Sequence, residues 1–255
     1  MKRLMTIPMA FFMLLCALLP QAIGHPSIPG EVKNGISFHY RVQKLGNTII
    51  TASLSIERDG PLHVIRAAVD TTGIIRPFFK MHNRFCSYVK EDDLAPWRYV
   101  KRINQRGVFA QKKLYTDILT FDNNSGKVMV ERVDPHTVEE VTVPPNTYDP
   151  LTIFLKSFLE AEGEDDNQIE MTIYDGIKIR EVTFAAKCTE ISTPLYGEVK
   201  AVCLESEVPF SSLGDQEGTI KIWYTDDERR LPVNITLELP SLGSVEFELE
   251  RVEVW

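Results

Sequence analysis

From Ile36 to the C-terminus, apolar residues recur at every second position, interrupted by short clusters of turn residues. A period of two sends successive side chains to opposite faces of a strand. A chain that keeps it this long builds antiparallel strands with one buried face rather than βαβ units. The pattern predicts strands at 37–45, 48–58, 62–71, 84–90, 97–106, 109–121, 127–133, 137–143, 168–174, 177–190, 197–207, 218–225, 231–239 and 244–254. The breaks carry turn chemistry: Asp59-Gly60-Pro61, Asn123-Asn124-Ser125-Gly126, and Asp175-Gly176 as a two-residue hairpin.

One stretch departs from the period. After Pro144-Pro145, Leu151, Phe154, Leu155, Phe158 and Leu159 follow helical spacing, with Asp149 placed to cap the first turn and Pro150 at its first position. The acidic run Glu160–Asp166 ends that helix. About fourteen strands are too many for a flat sheet. The expected fold is therefore mainly β, a strongly curved antiparallel sheet or half-open barrel with one central amphipathic helix. No linker or repeat divides residues 25–255, which read as one domain.

The N-terminus predicts the compartment. Lys2 and Arg3 precede an apolar run from Leu4 to Leu19 that contains Thr6 and Pro8, and Ala22-Ile23-Gly24 supplies small residues before His25. The run falls short of the roughly 20 apolar residues that span a bilayer. It reads as a cleaved signal peptide, residues 1–24, that delivers the chain to the periplasm, with no transmembrane segment after cleavage. Cys86, Cys188 and Cys203 then remain in an oxidising compartment. A turn centred between Leu195 and Tyr196 would set Cys188 opposite Cys203. That spacing is compatible with a disulfide and equally with two buried thiols; Cys86 reads as a small buried apolar residue.

Charge narrows the partners. With 28 Lys and Arg against 36 Asp and Glu, the net charge is −8, and losing Lys2 and Arg3 with the leader deepens it, which argues against nucleic acid. His39, His63, His82 and His136 lack metal-ligand spacing, no cofactor fingerprint is present, and no catalytic set is assigned. Ser87 and Lys90 match a Ser-x-x-Lys pattern, but on a strand residues three apart face opposite ways. Asp92-Asp93 and Asp226-Asp227-Glu228 sit between strands, where acids make turns. One basic concentration stands out. Arg98, Arg102 and Arg106 share one face of a strand, Lys101 lies on the other, and Lys112 and Lys113 follow. That stripe suits lipid phosphates or an anionic envelope glycan, or else a solvated strand whose charges discourage edge pairing.

Trp223-Tyr224-Thr225-Asp226-Asp227-Glu228-Arg229-Arg230-Leu231-Pro232-Val233 resembles the signature of the bacterial family called domain of unknown function 3108. Phe121-Asp122 with Gly126-Lys127-Val128, Val143-Pro144-Pro145 with Tyr148-Asp149-Pro150-Leu151, and Thr193-Pro194 with Gly197 follow in that family's order. The resemblance implies a secreted β-rich envelope protein of Gram-negative bacteria and carries over no catalytic residues. Asp149, Pro150, Trp223, Asp226, Asp227 and Pro232 read as fold-defining, with Pro232 opening a strand where a missing N–H is tolerated. The expected function is non-enzymatic: binding of a lipid or other apolar ligand within the curved sheet. The alternatives are an envelope scaffold that pairs its strand edges with a protein partner, and a glycan-acting hydrolase using Asp226 and Asp227.

Overall fold

The structure, a computed structural model, describes residues 34–108, 112–160, 168–210, 216–239 and 243–255. The expected leader, residues 1–24, and the acidic loop after the helix lie outside the described residues. Fifteen strands form one sheet. They are β1 (Gly35–Lys44), β2 (Asn47–Asp59), β3 (Leu62–Thr71), β4 (Phe79–Lys90), β5 (Pro96–Gly107), β6 (Lys113–Asp122), β7 (Lys127–Val133), β8 (His136–Thr142), β9 (Thr147–Tyr148), β10 (Gln168–Tyr174), β11 (Ile179–Thr193), β12 (Gly197–Phe210), β13 (Gln216–Thr225), β14 (Pro232–Leu239) and β15 (Gly243–Val254). Among the described residues one α-helix, α1 (Pro150–Glu160), stands between β9 and β10.

The strand order is β8-β7-β6-β5-β4-β3-β2-β1-β15-β14-β13-β12-β11-β10-β9. Every neighbouring pair is antiparallel except β9 with β10, which is parallel. The fold is thus mainly β with one short helix, and it is half-open because β8 and β9 are edges that do not pair with each other. β9 is too short to show a period, and the sequence reading did not include it. β4 also begins at Phe79 rather than at residue 84.

The first and last strands meet at the centre of the sheet. Ile36 pairs with Val254, and the backbones of Gly35 and Trp255 exchange hydrogen bonds at 3.0 and 3.1 Å. A Cβ at Gly35 would stand 2.6 Å from the Trp255 ring, so a larger residue there would displace that side chain.

Alternation along the strands defines an inner and an outer face. Phe38, Ile56, Phe85, Tyr99, Leu119, Phe184, Ile222 and Phe247 point inward and are buried. Across this interior runs α1. The sequence predicts an amphipathic helix with one apolar stripe, but all six residues Leu151–Lys156 are buried, so this part of the helix is enclosed rather than laid on a surface. Asp149 caps it as expected, its Oδ1 accepting from the backbone N–H groups of Leu151 at 2.8 Å and Thr152 at 3.1 Å. The helix packs on β3 and β4 on one side, and Phe154 meets Tyr224 of β13 at 6.2 Å on the other. Burying Leu151, Ile153, Phe154 and Leu155 contributes about 2 kcal/mol for each side chain.

Side chains, not ladder hydrogen bonds, bring the two flanks of the sheet together. The loop after β10 reaches the inner face of β5 and β6, where the Lys101 ammonium donates to the Asp175 carbonyl at 3.1 Å and Gly176 sits against Leu119. Arg132 of β7 reaches the Gly176 carbonyl at 3.4 Å. This loop has four residues rather than two, because Tyr174 pairs with Ile179 and the Asp175 carboxylate accepts from the N–H groups of Ile177 and Lys178.

Candidate functional site

The outer face of β4 and β5 carries a concentration of cations. Along β4, Lys80, His82 and Arg84 alternate with buried Phe79, Met81, Asn83 and Phe85; along β5, Arg98, Arg102 and Arg106 alternate with buried Tyr99, Ile103 and Gln105. The antiparallel register then sets like charges face to face. Arg84 lies directly opposite Arg102, and Lys80 directly opposite Arg106, while Arg98 faces Tyr88. Directly opposed like charges destabilise a ladder.

Some of these cations are partnered and some are not. Arg84 binds Asp70 at 3.0 Å, His82 also meets Asp70, and Arg66 pairs with Glu57. Among the described residues Lys80, Arg98, Arg102 and Arg106 have no carboxylate partner, and the Arg98 Nε is buried without a hydrogen bond. A groove of about 520 Å³ runs here, lined by Arg66, Arg84 and Arg102 together with Ala68, Cys86, Tyr88 and Val100. Burial pushes the Cys86 thiol up, so it stays protonated at neutral pH; the neighbouring Cys86 sulfur in turn raises the Tyr88 phenol. A second recess of about 660 Å³ lies further along the same strands, between Arg76, Lys80, Arg106 and Lys112, with Asp70 at its wall.

The structure therefore places Arg98, Arg102 and Arg106 on one face, as the period requires. It overturns the edge-protection reading of the stripe. β5 is three strands in from the edge and is paired on both sides, so its charges guard no open edge. Lys101 is fully buried on the inner face, bound to Asp117 at 3.0 Å, and adds nothing to the outer charge. Reading β4 from residue 84 concealed Lys80 and His82. The alternation Lys80, His82, Arg84 was the signal that could have found them.

The other candidate residues lie in turns and strands with contacts of their own. In the Thr225–Leu231 turn, Asp227 Oδ1 accepts from the Thr225 hydroxyl at 2.8 Å and from the Arg229 N–H at 3.0 Å, while its Oδ2 holds the Arg229 guanidinium at 2.6 Å. Burial pushes the Asp227 carboxyl up, but the hydrogen bonds from Arg229 and Thr225 outweigh it and hold the group below its usual range. Asp226 donates its backbone N–H to Lys200 at 2.9 Å, and Pro232 accepts the Tyr40 hydroxyl at 2.9 Å. Trp223 is partly buried on the outer face opposite Cys203. Asp92 and Asp93 bind backbone N–H groups of their own turn. Ser87 is buried on the inner face while Lys90 lies on the outer one.

The disulfide expectation is corrected by register. The Thr193–Gly197 turn pairs Lys187 with Cys203 and Cys188 with Val202, one residue away from the spacing assumed. A shift of one residue sends the two cysteines to opposite faces, and no disulfide joins them.

A sequence profile described as a protein of unknown function (DUF3108) matches residues 37–250. No curated protein matches the sequence. The crystal structure of the β-barrel-like protein of domain of unknown function DUF1849 from Brucella abortus is similar in fold, with a TM-score of 0.56 at 12% identity, covering 87% of this chain and 98% of that one.

Proposed function

The chain belongs to the DUF3108 family of proteins of unknown function, and from that premise we propose a non-enzymatic envelope protein that holds an anionic, phosphate-bearing ligand in the outer groove of β3 to β5. One observation carries the reading. Arg84 and Arg102 stand directly opposed on interior strands beside the opposed pair Lys80 and Arg106, and neither packing nor edge protection accounts for that arrangement. An anion between the strands turns the repulsion into two charge-assisted contacts, and the planar guanidinium fork suits phosphate or carboxylate oxygens.

The lining residues Ala68, Tyr88 and Val100 offer apolar surface for the hydrocarbon or sugar face that adjoins a charged head group. The inward side chains are packed against one another and around α1, which favours the outer groove over the inner face as the ligand site. The residues 1–24 pattern supports a periplasmic setting, where phosphorylated lipids and acidic glycans are the abundant anions.

Native mass spectrometry with organic extraction on protein taken gently from the periplasm tests this. The expected result is a stoichiometric phosphorylated lipid or acidic glycan on the native chain, absent from Arg102→Glu. A native chain that remains empty after incubation with both ligand classes overturns the proposal.

A further inference from the structure

Chain direction brings the β1–β2 turn, the segment after β3 and the end of β5 to the same end of the sheet. Thr72 donates to the Ile49 carbonyl at 2.9 Å, Gly73 packs against the Thr48 carbonyl, and Val108 donates to the Phe78 carbonyl at 2.9 Å, so these segments are neighbours. The four most exposed large apolar side chains among the described residues all belong to them: Leu45 at 90%, Phe78 at 66%, Val108 at 63% and Ile74 at 57%.

Leu45 is the most telling. With Gly46 it makes a two-residue turn in which both residues have positive φ, 51° and 73°, a position that favours asparagine over a bulky apolar residue. Neither backbone preference nor solubility selects leucine there, and such an outlier points to a use.

Beside this apolar tip the recess is lined by four cations and one acid. Arg76 lies between Ile74 and Phe78 in the chain, and Arg76, Lys80, Arg106 and Lys112 line the second recess. No acidic residue occurs between Asp70 and Glu91 or between Asp93 and Asp117, in a chain that has 36 of them. Asp70, on the recess wall, is already engaged by Arg84 and His82.

We propose that this end of the sheet docks on an anionic lipid bilayer, with Leu45, Ile74, Phe78 and Val108 entering the head-group layer and Arg76, Lys80, Arg106 and Lys112 meeting lipid phosphates. An exposed apolar tip ringed by cations is complementary to such a surface in both respects: the apolar side chains leave water and the cations follow the surface potential. The proposal goes beyond the groove reading: its cations line a separate recess along the same strands, and it names the bilayer as the source of the phosphates.

Two probes separate the proposals. Sedimentation with phosphatidylglycerol–phosphatidylcholine vesicles, against pure phosphatidylcholine vesicles, reads the tip; binding of monomeric dihexanoyl phosphatidic acid reads the groove. The native chain is expected on the anionic vesicles only. The double substitution Leu45→Ser with Phe78→Ser should weaken that partitioning by about tenfold or more and leave the soluble probe bound as before. Arg76→Glu should cost at least about fivefold on vesicles. Native chain that ignores anionic vesicles, or a Leu45→Ser, Phe78→Ser chain that binds them unchanged, overturns the docking proposal even where the soluble probe binds. Vesicle binding without binding of the soluble probe supports the tip and removes the groove.

Discussion

The Ser87 hydroxyl donates to the Asp149 carboxylate at 2.6 Å, tying the middle of β4 to the cap of α1 across 62 residues of chain. The Thr152 hydroxyl donates to the same oxygen at 2.5 Å. The enclosed helix is thus anchored to the sheet by one buried acid. Burial pushes that carboxyl above its ordinary value, against the downward pull of the Ser87 and Thr152 hydrogen bonds.

Two substitutions at this position should behave differently. Asp149→Ala removes the cap and strands the Ser87 and Thr152 hydroxyls, at a cost of about 3 kcal/mol. Asp149→Asn keeps a cap acceptor and removes the buried charge. Because the folded carboxyl titrates higher than the unfolded one at 3.8, Asp149 lowers stability as pH rises from 3.8 through its folded value. Asp149→Asn should therefore equal or exceed the native chain at pH 7 and lose that acid-range slope in urea unfolding. A loss at pH 7 as large as alanine's would contradict this.

Ligand affinity and fold stability should oppose each other at Arg102. Removing one of two opposed charges relieves the Arg84–Arg102 repulsion, so Arg102→Gln should raise stability by about 0.5 kcal/mol, or Tm by about 1–2 °C. It should weaken the anionic ligand at the same time. A lower Tm for this variant would show that Arg102 holds the sheet together.

His63 should produce the acid side of the stability profile. It is buried, its Nδ1 has no hydrogen-bond partner, and burial pushes its pKa below 6.5, against the opposing pull of the Glu91 carboxylate. Below pH 6.5 the unfolded chain takes up a proton that the folded imidazole refuses. Stability should fall there by up to about 1.4 kcal/mol per pH unit until the folded pKa is reached. Comparing the native chain with His63→Leu by urea unfolding at pH 7.5 and pH 5 isolates the effect, which the variant should lack.

Exposed Cys188 and buried Cys203 should not cross-link within one chain. Burial pushes the Cys203 thiol up to about 11, and Cys188 lies on the opposite face of the ladder. Non-reducing peptide mapping should find no Cys188–Cys203 cross-link, and reductant should leave Tm unchanged. A cross-linked peptide would show that β11 and β12 pair in the other register.

Most of the architecture was legible because alternation is a property of the chain itself. It located nearly every strand, and the Asp149-Pro150 pair located the start of the helix. What escaped it depended on partners far away in sequence. The Cys188–Cys203 register failed by one residue because the Thr193–Gly197 turn has its own internal hydrogen bonds, from Tyr196 N–H to the Thr193 hydroxyl at 3.1 Å and from that hydroxyl to the Gly197 carbonyl at 3.2 Å. The burial of every side chain from Leu151 to Lys156 depends on a sheet that wraps around them, which no helical stripe encodes. Arg102 could be assigned a face from sequence, but its position opposite Arg84 and away from any edge needed the strand order.

That strand order also has a consequence for how the chain is made. Synthesis proceeds from the N-terminus, and β1, the first strand completed, finds its second neighbour only when β15, the last, has been made. Until then β1 offers an open edge carrying Ile36, Phe38 and Tyr40, residues that are buried in the finished sheet. A nascent chain of this topology passes through nearly its whole synthesis with its centre unsealed. Premature termination within the final strand would leave two sticky edges, those of β1 and β14, rather than a slightly shorter protein. The β15 pairing is thus what covers the edges of both β1 and β14 at the middle of the sheet.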